Sequence, residues 1–255
     1  MMRLYRIEHE GQPLYVAERE GRWRLIDGDI FGSYREGPEI QHEGLRFLPP
    51  VTPSKIVCVG LNYKDHAAET GKALPDEPLI FLKPTTALIG PGAPIRAPQW
   101  AGRVDHEAEL GVVIGKKASG VKANSAYEHI LGLTCVNDVT ARDLQKRDQQ
   151  YARCKGFDTF APVGPCVAVG LQARDLQVRG YVNGDLRQDS RTRELIFTVP
   201  ELVEYISSVM TLLPGDIIST GTPAGIGPIR PGDSVTIHVE GVGALTNPVV
   251  ARESS

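Results

Sequence analysis

Val104-Asp105-His106-Glu107-Ala108-Glu109-Leu110-Gly111-Val112-Val113-Ile114 begins charged and ends apolar. It reads as one long strand of mixed periodicity, running from a polar end into a core. On a strand Glu107 and Glu109 project from one face, roughly 7 Å apart at their Cα atoms. Two carboxylates so placed repel each other. Burial without compensation would push a proton onto one of them. A hard divalent cation removes both problems by taking oxygen ligands from each. The alternative is a solvated strand edge, and this segment alone leaves both readings open.

Working outward, Lys55 to Val59 is an almost wholly apolar run ending at Gly60, which predicts a buried strand. Asn62 to Glu69 predicts a short helix closed by Gly71. Leu79 to Leu82 is another strand, and Asn124 to Leu131 resembles a capped helix ended by Gly132. Leu176 to Val182 followed by Asn183-Gly184-Asp185 is a hairpin signal, because Asn-Gly suits a type I′ turn. Pro200 to Leu212 is a helix with Pro in its first turn and apolar residues along one side. Pro-Gly-Asp turns at Pro214 and Pro231 lead into further β-like runs. Strands outnumber helices and do not alternate with them regularly. That predicts an α+β fold with a twisted β core, not a doubly wound sheet. Residues 1–50 read as a small β unit of short strands and Gly turns. The proline-rich stretch Leu48 to Pro53 is a linker, so residues 55–255 form the main domain.

Composition narrows the function classes. Lys and Arg total 28 against 31 Asp and Glu, a net charge of −3, which argues against binding nucleic acid through bulk positive charge. The chain is 41 % apolar and 23 % charged, a globular mix and not a disordered one. No run approaches the roughly 18 apolar residues of a membrane helix. The start shows no secretory signal, and Cys58, Cys135, Cys154 and Cys166 form no C-x-x-C pair, so free thiols in a reducing cytoplasm are expected.

Other segments add to the Glu107–Glu109 pair. Leu133 to Asp138 is a β-like run ending in an acid, and a carboxylate at a strand end is a natural third metal ligand. Asp138 as the N-cap of the polar segment after it remains an equal reading. Three carboxylates on Mg²⁺ or Mn²⁺ leave open positions for water or substrate. Within Gly60 to Glu69, His66 and Glu69 are i, i+3 neighbours if the segment is helical. A carboxylate on one imidazole nitrogen leaves the other free as a base, although such pairs are also common on surfaces. Arg142 and Lys155 could neutralise surplus charge or hold an anion. Ser219 to Gly227 is a Gly-rich loop whose amides and Thr222 hydroxyl could grip a carboxylate. It lacks the signatures of a P-loop or a dinucleotide site, so ATP and NAD are not expected.

Taken together these segments resemble the fumarylacetoacetate hydrolase family. The matching motifs are GLNYKDHAAE at Gly60, VDHEAELGVVIG at Val104, NDVTARDLQ at Asn137, KGFDTFAPVGP at Lys155, VNGDLRQ at Val182 and STGTPAGIG at Ser219. They stand in the family's order from about Lys55 onward. The first fifty residues resemble the small N-terminal domain of some bacterial members.

The resemblance implies a β-rich roll with peripheral helices, and a homodimer. It assigns metal-ligand positions to Glu107, Glu109 and Asp138, for Mg²⁺, Mn²⁺ or Ca²⁺. It assigns a catalytic dyad on a lid to His66 and Glu69, and substrate or water contacts to Lys155, Arg142, Gln145 and Thr222. The additional acidic ligand of the larger eukaryotic hydrolases has no counterpart in this sequence, which points to the shorter bacterial branch. Family substrates are 2-oxo or 2-enol acids, and a metal-stabilised enolate links their reactions. Resemblance is greatest to 2-hydroxyhepta-2,4-diene-1,7-dioate isomerases and 5-oxopent-3-ene-1,2,5-tricarboxylate decarboxylases of aromatic catabolism. Acylpyruvate or fumarylpyruvate hydrolysis and oxaloacetate decarboxylation are the alternatives. A non-enzymatic oxo-acid binder is a rival that has no need of the dyad. A glycosidase built on Glu107 and Glu109 is disfavoured, because neighbours on one strand face cannot flank a glycosidic bond.

Overall fold

The computed structural model describes residues 1–252. A mixed twelve-stranded sheet runs from Tyr34–Glu39 through Arg22–Gly28, Gln12–Arg19 and Met2–His9 to Ala161–Val169. It continues through Ile130–Asn137, Ala108–Ile114, Ile217–Ser219 and Ile56–Gly60 to Leu79–Lys83. A five-stranded sheet closes over one face, with Gln177–Val182, Ser234–Val239 and Gly243–Ala251 at its centre. The helices are few and peripheral, so the α+β expectation holds.

The central strands are apolar on both sides because both sides are covered. Val57 and Val59 face one core cluster, shared with Leu110, Val112, Leu133, Ile237 and Leu245. Ile56 and Cys58, on the opposite face, join Val113, Val136 and Ile217 in a second. Met2, Leu4, Ala17 and Ile30 belong to that second cluster as well. Met2 to Leu4 pairs antiparallel with Val167 to Val169, so the first strands hydrogen-bond directly into the main sheet. All four cysteines are buried and unpaired in disulfides.

Several predicted elements recur with small shifts. The helix after Asn62 is Lys64–Thr70, with Gly71 left-handed at its C-cap. The Asn183-Gly184 turn has both residues at positive φ, and the long helix is Val199–Val209. Two expectations need correction. The stretch from Val104 to Ile114 is not one strand: it divides into Val104–His106 and Ala108–Ile114, with Glu107 at the break. The Asn124 segment is a 3₁₀ helix, Ala123–His129, and Gly132 lies inside the next strand instead of ending a helix. A Cβ at Gly132 would stand 2.3 Å from Ala168 O, so glycine is there for close strand approach.

Candidate active site

The break at Glu107 turns its carboxylate into the protein. Asn137, the last residue of the neighbouring strand, replaces the missing ladder partner: its Oδ1 accepts from Glu107 N at 3.0 Å. Asp138 N in turn donates to Glu107 O at 2.9 Å. The two acids are thereby locked side by side, and Glu109 follows on the same wall. Carboxylate oxygens of Glu107, Glu109 and Asp138 lie within 4.8 Å of one another. All three residues are 5 % exposed or less, which rules out the solvated strand edge.

So dense a buried charge needs cations. Lys155 Nζ bridges Glu107 Oε2, at 2.7 Å, and Asp138 Oδ2. Lys83, 1 % exposed, donates to Asp138 Oδ1 at 2.5 Å and to Val139 O at 3.0 Å. Arg142 braces Glu107 and reaches Asp105 Oδ2 at 2.9 Å and the side-chain Oε1 of Gln145. Burial raises Glu107, but Lys155 and Arg142 outweigh it and hold the carboxyl well below its ordinary range. Burial lowers Lys155, and the charges of Asp138 and Glu107 reverse that, so it stays an ammonium. Asp138 is no helix cap, because both its oxygens are taken by lysines.

Glu109 differs. Its hydrogen bonds come from Ser219 Oγ at 2.5 Å and Gly221 N at 3.0 Å, both to Oε2. Burial first, then the charges of Asp138 and Glu107, push it up to about 8. The donor set of three clustered carboxylates, one of them unpaired by any cation and with Oε1 left open, fits a hard divalent ion. Glu107, Glu109 and Asp138 would hold it.

Across the cavity stands the short helix. His66 Nδ1 lies 2.9 Å from Glu69 Oε2, and Gly225 N donates to Glu69 Oε1 at 3.0 Å. The carboxylate accepts, so Nδ1 carries the proton and Nε2 is the basic nitrogen. Asn62 ties the start of this segment to Phe197 and to Thr220 O. A Cβ at Gly221 would sit 2.7 Å from Asn62 Cβ, at a φ of +97°, so this loop position needs glycine.

One cavity of about 470 Å³ brings these parts together. Glu107, Glu109, Asp138, His66, Arg142, Gln145, Lys155 and Thr222 all line it, with Glu69 behind His66. Thr222 spends its hydroxyl proton on Ala108 O at 3.0 Å and accepts from Gln188 Nε2 at 2.8 Å. It therefore offers a ligand an acceptor lone pair.

Two residues escaped the sequence reading. Lys83 ends an apolar run and looks like its polar flank. Gln188 closes the VNGDLRQ motif and is a buried staple. Its Oε1 accepts from Ala108 N at 2.9 Å and from His106 Nδ1 at 3.1 Å, and its Nε2 also reaches Pro223 O at 2.8 Å. All four bonding positions of the amide are filled, linking the ligand strand to the Gly-rich loop. No local pattern marks Lys83; the motif position marks Gln188.

Residues 55–250 match the family described as fumarylacetoacetate (FAA) hydrolase C-terminal. The chain belongs to the fumarylacetoacetate hydrolase family. It is 45 % identical to a 2-hydroxyhepta-2,4-diene-1,7-dioate isomerase from Mycobacterium marinum, whose crystal structure superposes with a TM-score of 0.92, covering 100 % of both chains. It is 33 % identical to a Pseudomonas aeruginosa fumarylpyruvate hydrolase solved with Mn²⁺ and pyruvate, at a TM-score of 0.75 over 82 % of this chain and 94 % of that one. It is also 41 % identical to a mitochondrial oxaloacetate tautomerase of Xenopus laevis, over 83 % of this chain and 70 % of the relative. Among the described residues no helix is long and apolar enough to cross a membrane.

Proposed function

We propose that this enzyme acts on a 2-oxo or 2-hydroxydienoic acid with the aid of a divalent cation, Mg²⁺ or Mn²⁺ first. Isomerisation of a 2-hydroxyhepta-2,4-diene-1,7-dioate is the favoured reaction. The observation that carries this reading is that a buried tricarboxylate cluster and a His–Glu dyad face each other in one cavity. A bound divalent cation supplies Lewis-acid stabilisation of negative charge on the substrate's C2 oxygen.

The chain's own residues do the rest. Lys155 and Arg142 balance the acids, and Gln145, its carbonyl oxygen taken by Arg142, keeps its amide hydrogens for the substrate. His66 Nε2 takes or returns a proton at the carbon chain, and Glu69 fixes the tautomer that makes this possible. Moving a proton between carbon and oxygen is isomerisation or tautomerisation. If Nε2 takes the proton from a water instead, the same dyad drives C–C hydrolysis. That second reading is favoured by the free Nε2 and by the likeness to a fumarylpyruvate hydrolase.

The test is a metal-dependent assay of the purified protein with and without EDTA. The panel is 2-hydroxyhepta-2,4-diene-1,7-dioate, fumarylpyruvate, acetylpyruvate and oxaloacetate, each followed by ultraviolet absorbance. Turnover abolished by EDTA and restored by Mg²⁺ or Mn²⁺ is expected for at least one. Tight oxalate binding without turnover of any would replace this reading with that of an oxo-acid binder.

A further inference from the structure

The helix that carries His66 and Glu69 is too short to place itself. Lys64–Thr70 has seven residues, and its N-cap, Tyr63, makes no side-chain cap bond. Two turns are marginal alone, so tertiary anchors must set their position. Asn62 supplies one anchor just before the helix. Asp65, the residue before His66, supplies another. An acid in the first turn favours the helix dipole wherever its carboxylate points. The Asp65 carboxylate is spent outside the helix: Oδ2 accepts from Ser190 Oγ at 2.5 Å and Oδ1 from Ala224 N at 3.4 Å, partners 125 and 159 residues along the chain. Only the bond from His66 N to Oδ1, at 2.7 Å, stays within the helix.

Asp65 and Glu69 are i, i+4 neighbours on one helix face. They take consecutive amides of the Gly-rich loop, Ala224 N and Gly225 N. The other partner, Ser190, comes from the strand Asp185–Arg191, where it is buried two residues after the buried Gln188 and on the same face. Gln188 fixes the same loop at Thr222 and Pro223, and it fixes Ala108 N, between Glu107 and Glu109. A Cβ at Gly225 would lie 2.0 Å from Arg187 O, at a φ of +95°, so loop and strand approach as closely as glycine allows. Strand, loop and helix close a ring of hydrogen bonds, and Gln188 ties that ring to the wall of acids.

We propose that Asp65 is a positioning residue for proton transfer: bound to Ser190 and to the Gly-rich loop, it fixes where His66 stands relative to Glu107, Glu109 and Asp138. Asp65 does not line the cavity, so it acts through His66 and Glu69. This rests on the reading of that dyad as the proton-transfer group and adds what holds the dyad in place. A displacement of about 1 Å is enough to cost about 10²-fold in rate.

The test uses the full-length protein, with Mg²⁺ and the substrate panel above for kinetics, and ¹⁵N NMR of the His66 ring without substrate. Asp65→Ala is expected to lower kcat about tenfold or more, with KM and Mn²⁺ affinity within about twofold of wild type. The His66 ring should shift from the Nδ1–H tautomer toward a mixture. Asp65→Asn keeps an acceptor for His66 N and Ala224 N and offers its amide to Ser190 Oγ, so kcat should stay within about threefold of wild type, with the wild-type tautomer. Ser190→Ala removes one bond only and should lie between the two; it carries the test if Asp65→Ala does not fold. Wild-type kcat and tautomer in Ser190→Ala, or in a folded Asp65→Ala, overturn the assignment. So does an Asp65→Asn protein as slow as Asp65→Ala, which would make charge and not position decisive. If the wild type turns over none of the panel, the reading of the dyad itself falls, and the role of Asp65 with it.

Discussion

Glu109 lines the cavity, Glu69 stands behind the His66 that lines it, and the two live in different media. Glu109 is 1 % exposed and sits among other acids. The Glu69 side chain is 40 % exposed and serves a histidine. The floor around Glu109 is built from two long strands and from lysines that arrive from distant segments. The segment around Glu69, which the resemblance makes a lid, is a helix of seven residues, Lys64–Thr70, docked on a Gly-rich loop. Buried charges are expensive and therefore rigidly partnered; an exposed pair costs little and is free to adjust. The floor is suited to hold an ion in fixed geometry, and the lid to move a proton.

The floor should break hardest. Asp138→Ala leaves Lys83 and Lys155 buried without their shared partner. The expected loss is about 3–5 kcal/mol of stability, the range for half of a buried pair. Divalent-ion binding should vanish, and turnover with it. Titration with Mn²⁺ followed by electron paramagnetic resonance, together with thermal melting, checks both. An Asp138→Ala protein that bound Mn²⁺ normally would end the assignment of the floor as a metal site.

The lid should break differently. His66→Ala is expected to retain divalent-ion affinity within about twofold and to lose about 10²- to 10⁴-fold in kcat, the range of general acid–base catalysis. Any decarboxylation that needs no activated water should suffer less than hydrolysis. Parallel measurement of Mn²⁺ affinity and kcat in the two variants turns the contrast between floor and lid into numbers. Equal loss of every activity, including decarboxylation, would argue that His66 serves the site as a whole.

The contrast also explains what the sequence made legible. His66 and Glu69 are close in sequence, so helical spacing alone brings them together. The ligand acids could be named from their spacing and from the family resemblance. Their burial could not, because E-x-E reads the same on an exposed edge as on a strand roofed by a second sheet. The roof and the counter-ions come from residues far along the chain, Lys83, Lys155 and the strands after Gln177. Lys83 was invisible for the same reason: a lysine closing the apolar run Leu79 to Leu82 normally points to water. The 3₁₀ segment at Ala123 reads as an α-helix in sequence because capped helices and short turns share their polar starts, and Gly132 has a tertiary cause.

A finer cut lies within the floor. Glu109 is pushed up to about 8 by burial and by its acidic neighbours, whereas Glu107 is held low by Lys155 and Arg142. Without a cation, Glu109 keeps a proton at neutral pH, and binding a cation must expel it. Affinity for Mg²⁺ or Mn²⁺ should therefore rise with pH up to about pH 8, by at most about tenfold per unit, and level off above it. Calorimetry at pH 7 in two buffers of different ionisation enthalpy should detect close to one proton released. The His66→Ala variant should show the same release, because the lid takes no part in it.

The smallest effect lies beneath the floor. Asp216 precedes the strand Ile217–Ser219, whose last residue holds Glu109. Its Oδ1 accepts from Ser54 N at 2.9 Å and Ser54 Oγ at 2.7 Å, and its Oδ2 from Lys55 Nζ at 2.5 Å and Leu213 N at 2.8 Å. Burial raises this carboxyl, but the bonds from Lys55, Leu213 and Ser54 win and hold it below its ordinary value. A depressed acid stabilises the fold above its unfolded pKa, and that contribution is lost as pH falls through the folded one. Asp216→Asn should cost about 1–2 kcal/mol at pH 7, where Lys55 is partly solvated and the pair partly screened. The gap to wild type should close as pH falls below about 4, where the wild-type carboxyl begins to take up its proton. Divalent-ion affinity and kcat should stay near wild type, since the bonds to Glu109 begin three residues downstream at Ser219. Denaturant unfolding of both proteins from pH 7 to pH 3 measures the gap. A gap that stays constant over that range would mean that Asp216 acts through shape and not through charge.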